Sequence, residues 1–119
     1  MKDISVLIVE DEPAVAGALE LRLKRTFGRV FSASDGRKGL ETAIAVKPDV
    51  IVTDLRMPHM EGLEMIEEIR KSLPYVHVIV LTASSDRFDR KKAEELGVEG
   101  YFTKPLMVNE LITKIQELV

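Results

Sequence analysis

Apolar residues along this chain alternate between two periods. Ile4 to Val9 is a short, nearly continuous apolar run rich in β-branched side chains, as in a strand covered on both faces. The next stretch, EDEPAVAGALELRLKRTFG, changes rhythm. Val15, Leu19, Leu23 and Phe27 recur every fourth residue and share one face of a helix, with Pro13 suited to its first turn and Gly28 to its end. Arg29 to Ser34 predicts a second, weaker strand. Asp35 stands where a helix cap belongs, ahead of Leu40, Ala43 and Ile44, and Lys47-Pro48 closes that helix. Val50 to Thr53 is a third strand, apolar at nearly every position.

The second half repeats the rhythm. Leu63, Ile66, Ile69 and Leu73 mark one face of a helix from Gly62 to Leu73, which Pro74 stops. Val76 to Thr82 reads as a fourth strand, and a charged helix runs from about Asp86 to Leu96, closed by Gly97. Tyr101 to Thr103 gives a fifth strand, and Leu111, Ile115 and Leu118 a last helix. Five strands alternating with five helices predict an α/β fold: a doubly wound, mostly parallel sheet with helices on both faces. Strands one, three and four are apolar on both faces, which such a sheet requires. No linker, repeat or low-complexity tract interrupts the pattern, so residues 1–119 are expected to form one domain.

Composition narrows the function classes. Of the 119 residues 45% are hydrophobic, enough for a buried core, and 17 basic against 20 acidic residues leave a formal net charge of -3. That balance argues against a strongly electrostatic nucleic-acid binder. With no cysteine there is no disulfide, thiolate chemistry or Cys-based zinc site. No apolar run approaches the length of a membrane span, and the start MKDISVLIVED lacks the basic region and long apolar stretch of a signal peptide. The expectation is a cytoplasmic domain with no membrane contact.

The informative polar residues sit at strand ends. Strand one runs into Glu10-Asp11, strand three into Asp54, strand four into Thr82 and strand five into Lys104-Pro105. Open α/β sheets bind ligands outside these ends, where the strand order reverses. In the order 2-1-3-4-5, strands one and three are neighbours there, and three carboxylates meet beside a hydroxyl and an ammonium. Packed carboxylates repel unless a cation is present. All-oxygen, charge-rich ligation suits a hard ion, with Mg²⁺ first. A lysine cannot belong to the metal shell, so cation and lysine together suit an anion with several oxygens, a phosphoryl group. Asp54, on the end of a rigid strand, is the natural nucleophile, since carboxylates form acyl phosphates. Taken singly each residue has a plainer reading: Asp11 a turn former, Glu10 a solvated charge, Thr82 a cap, Lys104 a surface lysine. Their coincidence on one sheet edge outweighs those readings.

With LIVEDEP, VTDLRMPHMEG, VLTA and GYFTKP in that order, the chain resembles the receiver domain of two-component response regulators over essentially its whole length. The resemblance implies a flavodoxin-like (βα)5 fold of the chemotaxis-regulator kind. It implies that Asp54 accepts a phosphoryl group from a histidine kinase or histidine phosphotransfer protein. It also implies that Asp11, Asp54 and the backbone carbonyl of Arg56 hold Mg²⁺ (or Mn²⁺ in its place), with Glu10 acting directly or through water. Thr82 and Lys104 would engage the phosphoryl oxygens, the Lys104-Pro105 bond would be cis, and Thr82 and Tyr101 would act as a coupled switch on an output surface. Arg56 and Ser84 stand where the family tunes phosphoryl lifetime. Self-dephosphorylation would be slow, and a phosphorylation-dependent homodimer is compatible. The resemblance names no particular signal, cognate kinase, effector or output domain.

Two other classes fit the residues less well. Phosphatases resembling the haloacid dehalogenases place a second Asp two residues after the nucleophile, where this chain has Arg56. A flavin or nucleotide site lacks its Gly-rich loop after strand one, because EDEPA is acidic. A receiver that has lost phosphorylation would lack one of the residues above, and none is missing. His59 reads as a solvated loop histidine and His77 as a surface position. In DRFDRKKAEELG the acids offset the bases, which predicts a solvated helix face.

Overall fold

The structure is a computed structural model that describes residues 3–105 and 107–119. Along the chain it runs β1 (Ser5–Val9), α1 (Pro13–Lys24), β2 (Arg29–Ala33), α2 (Gly36–Val46), β3 (Val50–Thr53), α3 (Gly62–Ser72), β4 (His77–Thr82), α4 (Arg87–Glu95), β5 (Gly100–Thr103) and α5 (Val108–Leu118). All four strand pairings are parallel, as the apolar pattern predicted, and the order is β2-β1-β3-β4-β5.

Alternation within each strand feeds two cores, one on each face of the sheet. Leu7, Val9, Ile51, Val78 and Val80 pack with Ala43, Met65, Ile66, Ile69 and Ala93 from α2, α3 and α4. Val6, Ile8, Val50, Val52, Ile79 and Leu81 pack with Leu19, Leu23, Leu111 and Ile115 from α1 and α5. Burying one such side chain is worth about 1.5–3 kcal/mol, so the central strands are the least movable part of the molecule.

Local chemistry sets the element ends. Pro13 opens α1, and the Asp35 side chain accepts the Lys38 N–H at 2.8 Å to cap α2. Helix α1 stops at Lys24, short of Gly28, so Phe27 fills the core from the following turn. Ile44 was expected on the buried face of α2. It is 46% exposed, because Gly39 and Ala43 let the helix sit close to the sheet on their side. His77 is half-buried, not a surface position, with its Nδ1 against the Glu99 carboxylate. Gly97 after α4 adopts φ +78, a left-handed conformation that glycine tolerates without strain.

Candidate functional site

The C-terminal ends of β1, β3, β4 and β5 lie along one edge, and the backbone ladder continues past them into the polar residues. The Glu10 N–H donates to the Ala33 carbonyl at 3.0 Å, the Asp54 N–H to Val9 at 3.1 Å, and the Lys104 N–H to Thr82 at 2.8 Å. Three of the chemically interesting residues therefore hang from a hydrogen-bonded frame, which fixes their side chains relative to one another.

One carboxylate oxygen from each of Glu10, Asp11 and Asp54 lies within 4.8 Å of the others. Glu10 and Asp54 are buried, and Asp11 is half-buried at the rim. The Lys104 ammonium bridges the two buried acids, 2.7 Å from Glu10 Oε1 and 3.0 Å from Asp54 Oδ2. Glu10 Oε2 accepts the Glu12 N–H at 3.2 Å, and Asp54 Oδ1 accepts the Leu55 N–H at 2.6 Å. Burial pushes the Glu10 carboxyl above its usual range, against the opposing pull of Lys104. Burial would lower the Lys104 ammonium, but its hydrogen bonds to Glu10 and Asp54 prevail and hold it above its usual value. One lysine thus partly balances two buried acids, and a net negative, all-oxygen cluster remains. Such a donor set fits a hard divalent cation.

Thr82 is fully buried, and its Oγ1 accepts the Ser84 N–H at 3.2 Å, leaving the hydroxyl proton free to point elsewhere. The Lys104-Pro105 peptide is cis. The loop after β3 is clamped by two glycines. A Cβ on Gly62 would lie 2.2 Å from the Asp54 carbonyl oxygen, and one on Gly36 would lie 1.9 Å from that of Met60. Neither position has room for a side chain. The Gly62 N–H closes the loop on Leu55 at 2.9 Å, and the Thr53 hydroxyl donates to the Asp54 carbonyl at 2.7 Å. His59 is exposed with φ +66 and stands apart from these contacts.

Arg56 leaves this loop and reaches α4, where its guanidinium donates to Asp89 Oδ2 and, at 3.1 Å, to Glu61. Ser84 Oγ donates to the same Asp89 oxygen at 2.9 Å. Asp89 is 6% exposed, so the helix read as solvated from its balanced charges buries one acid. The available signal was its spacing: Asp89 stands four residues before Ala93, on the face that α4 packs inward. Tyr101 is half-buried, Arg90 lies over its ring at 5.2 Å, and its hydroxyl is buried with no hydrogen-bond partner among the described residues. Burial, then the neighbouring Asp89 charge, raises the Tyr101 phenol above its ordinary value.

Comparison with known proteins gives a consistent picture. The model of the response regulator receiver domain matches residues 6–116. The alkaline phosphatase synthesis transcriptional regulatory protein PhoP of Bacillus subtilis is 32% identical over 114 residues, which cover 96% of this chain and 48% of PhoP. The chain thus spans about half the length of that curated relative. Among solved structures, the N-terminal domain of an uncharacterized Wolinella succinogenes protein superposes with a TM-score of 0.93 at 36% identity, covering 97% of this chain and 93% of that one. The chemotaxis protein CheY4 of Vibrio cholerae gives 0.91 at 25%, covering 99% and 100%. A LuxR-family DNA-binding response regulator of Staphylococcus aureus gives 0.90 at 27%, covering 97% and 98%.

Proposed function

The chain belongs to the response regulator receiver family, and on that premise we propose that Asp54 accepts a phosphoryl group from a histidine kinase or histidine phosphotransfer protein. The observation that carries this reading is the Lys104 ammonium lying 3.0 Å from Asp54 Oδ2 inside a cluster of three carboxylates. A lone buried acid would be costly, whereas an acid beside a fixed cation and a free hydroxyl is suited to gaining a dianionic group.

In the step itself a carboxylate oxygen of Asp54 forms the new O–P bond as the bond from phosphorus to the donor breaks. Oδ1 is tied to the Leu55 N–H, so Oδ2, on the Lys104 side, is the oxygen we assign to attack. Lys104 then follows the charge from Asp54 onto the phosphoryl oxygens, and the Thr82 hydroxyl donates to another of them. Asp11, Asp54 and the backbone carbonyl of Arg56 would hold Mg²⁺ or Mn²⁺, with Glu10 behind them. When bound, the ion neutralises the acids and the charge developing on the phosphoryl oxygens.

The product is a stored signal and not a turnover. Arg56 stands where a phosphatase of related chemistry would carry a second acid, so self-dephosphorylation is slow. Output runs through the face that holds Tyr101, in a domain spanning residues 1–119 that acts in the cytoplasm, alone or as a homodimer. Among the described residues no helix is long and apolar enough to cross a membrane. Incubation with acetyl phosphate and Mg²⁺ tests the reading: one phosphoryl group per chain should appear by intact mass, and none should form when a chelator is present from the start. A protein that stays unmodified with metal and donor in excess would refute it.

A further inference from the structure

Arg56 and Ser84 come from two different loops at the site, and they converge on one oxygen of Asp89. Arg56 arrives from the loop after β3, two residues beyond the acceptor, and Ser84 from the loop after β4, where its N–H holds Thr82. The Ser84 hydroxyl also accepts the Asp86 N–H at 3.2 Å, at the residue that caps α4. A buried carboxylate on the first turns of α4 is therefore joined to the acceptor loop, to the threonine loop and to the start of its own helix. The Arg56 side chain is half exposed while the Asp89 side chain is buried, so the arginine can swing into solvent and the acid cannot follow it.

A phosphoryl group on Asp54 would bring nearly two negative charges and three acceptor oxygens within two residues of this guanidinium. It would compete with Asp89 for the same cation. An acid that loses its partner while buried must find donors or move toward water. The unpaired buried hydroxyl of Tyr101, on the neighbouring strand, is a donor in need of an acceptor.

We infer that Asp89 is a positioning residue: it holds Arg56 away from the acceptor in the resting protein, and the Arg56–Asp89 pair is a latch on α4 that phosphorylation of Asp54 opens. The inference rests on the proposed phosphorylation of Asp54 and adds its regulation. With the latch open Arg56 lies over the phosphoryl group and shields it from water, while Asp89 and Tyr101 are released to each other. Removing the Asp89 charge frees Arg56 in advance, so the acyl phosphate of Asp89→Asn should live longer. An effect of about fivefold is expected, the factor that an ordinary, partly exposed ion pair provides.

The test loads wild type, Asp89→Asn, Arg56→Ala and the double variant with acetyl phosphate and Mg²⁺, removes the donor and follows loss of the phosphoryl group. Asp89→Asn should lose it about fivefold more slowly than wild type, the factor given above, and the double variant should match Arg56→Ala. An Asp89→Asn rate equal to wild type, or an equal change in both Arg56 backgrounds, overturns the latch. Guanidinium ¹⁵N NMR of the unphosphorylated proteins decides the resting contact independently. A protected Arg56 signal in wild type should vanish in Asp89→Asn, and an identical signal in both overturns the inference. If no protein takes up phosphate the acceptor assignment fails, and the NMR comparison still judges the pair.

Discussion

Glu10 and Lys104, ninety-four residues apart in sequence, meet at 2.7 Å, with Glu10 buried and Lys104 also reaching Asp54. The lysine is thus part of the resting electrostatics of the site as well as the proposed ligand for an incoming anion. Lys104→Met should lower the metal-free unfolding free energy by about 2 kcal/mol, discounted from the larger cost of orphaning a fully buried charge because Lys104 retains some solvent access. Adding Glu10→Gln should recover part of the loss. Urea unfolding of the four proteins of this cycle checks it, and strictly additive losses would show that the pair is not coupled.

The close approach of Gly62 to the Asp54 carbonyl makes a second prediction. Gly62→Ala forces a methyl group into backbone atoms that are themselves held by the β3 ladder. Destabilisation of at least about 2 kcal/mol is expected, well beyond the helix-propensity gain from alanine of about 1 kcal/mol. A thermal midpoint at or above that of wild type would show that the loop relaxes freely.

Divalent metal should stabilise the fold through the carboxylate cluster. By linkage, Mg²⁺ at about one hundred times its Kd adds about 2.7 kcal/mol, a rise of several degrees in Tm. Asp11→Asn should remove most of that rise while leaving the metal-free Tm little changed, since Asp11 is at the rim. Scanning calorimetry with and without metal reads both effects, and an undiminished rise in the variant would take Asp11 out of the site.

Tyr101 supplies the pH dependence. Its phenol is raised in the folded protein, first by burial, so the native state binds the proton more tightly than the unfolded chain. The stability this contributes is complete below the unfolded value of about 10 and is lost as pH climbs through the raised one. The difference in phenolate absorbance between wild type and Tyr101→Phe isolates this titration. A midpoint above about 10 is expected, and one at or below that value would contradict the buried placement. In neutral solution Tyr101→Phe should leave stability unchanged or slightly higher, because it deletes a hydroxyl that has no partner.

Much of this was legible in the sequence because periodicity reports burial directly. The runs of β1, β3 and β4 and the helical spacing of apolar residues in α1 and α3 fixed the layers, and the positions of Glu10, Asp11, Asp54 and Lys104 at strand ends then placed the cluster. The pairings inside the cluster were not legible. Charge balance along DRFDRKKAEELG gives a solvated helix when averaged, and the average conceals that one of its charged residues, Asp89, faces inward. Arg56 was expected near the phosphoryl position, but its direction depends on a partner thirty-three residues away, which no local pattern encodes. Helix α2 shows the same limit: Ile44 and Ala43 are adjacent and apolar, and only packing decides which of them is buried.

Asp54 is the proposed acceptor, and mapping the modified residue decides it. After treatment with acetyl phosphate and Mg²⁺, reduction of the acyl phosphate with borohydride followed by peptide mass spectrometry should place the single altered residue at Asp54, and Asp54→Asn should remain unaltered. Label on Asp11 or Glu10, or label that persists in Asp54→Asn, would contradict the account.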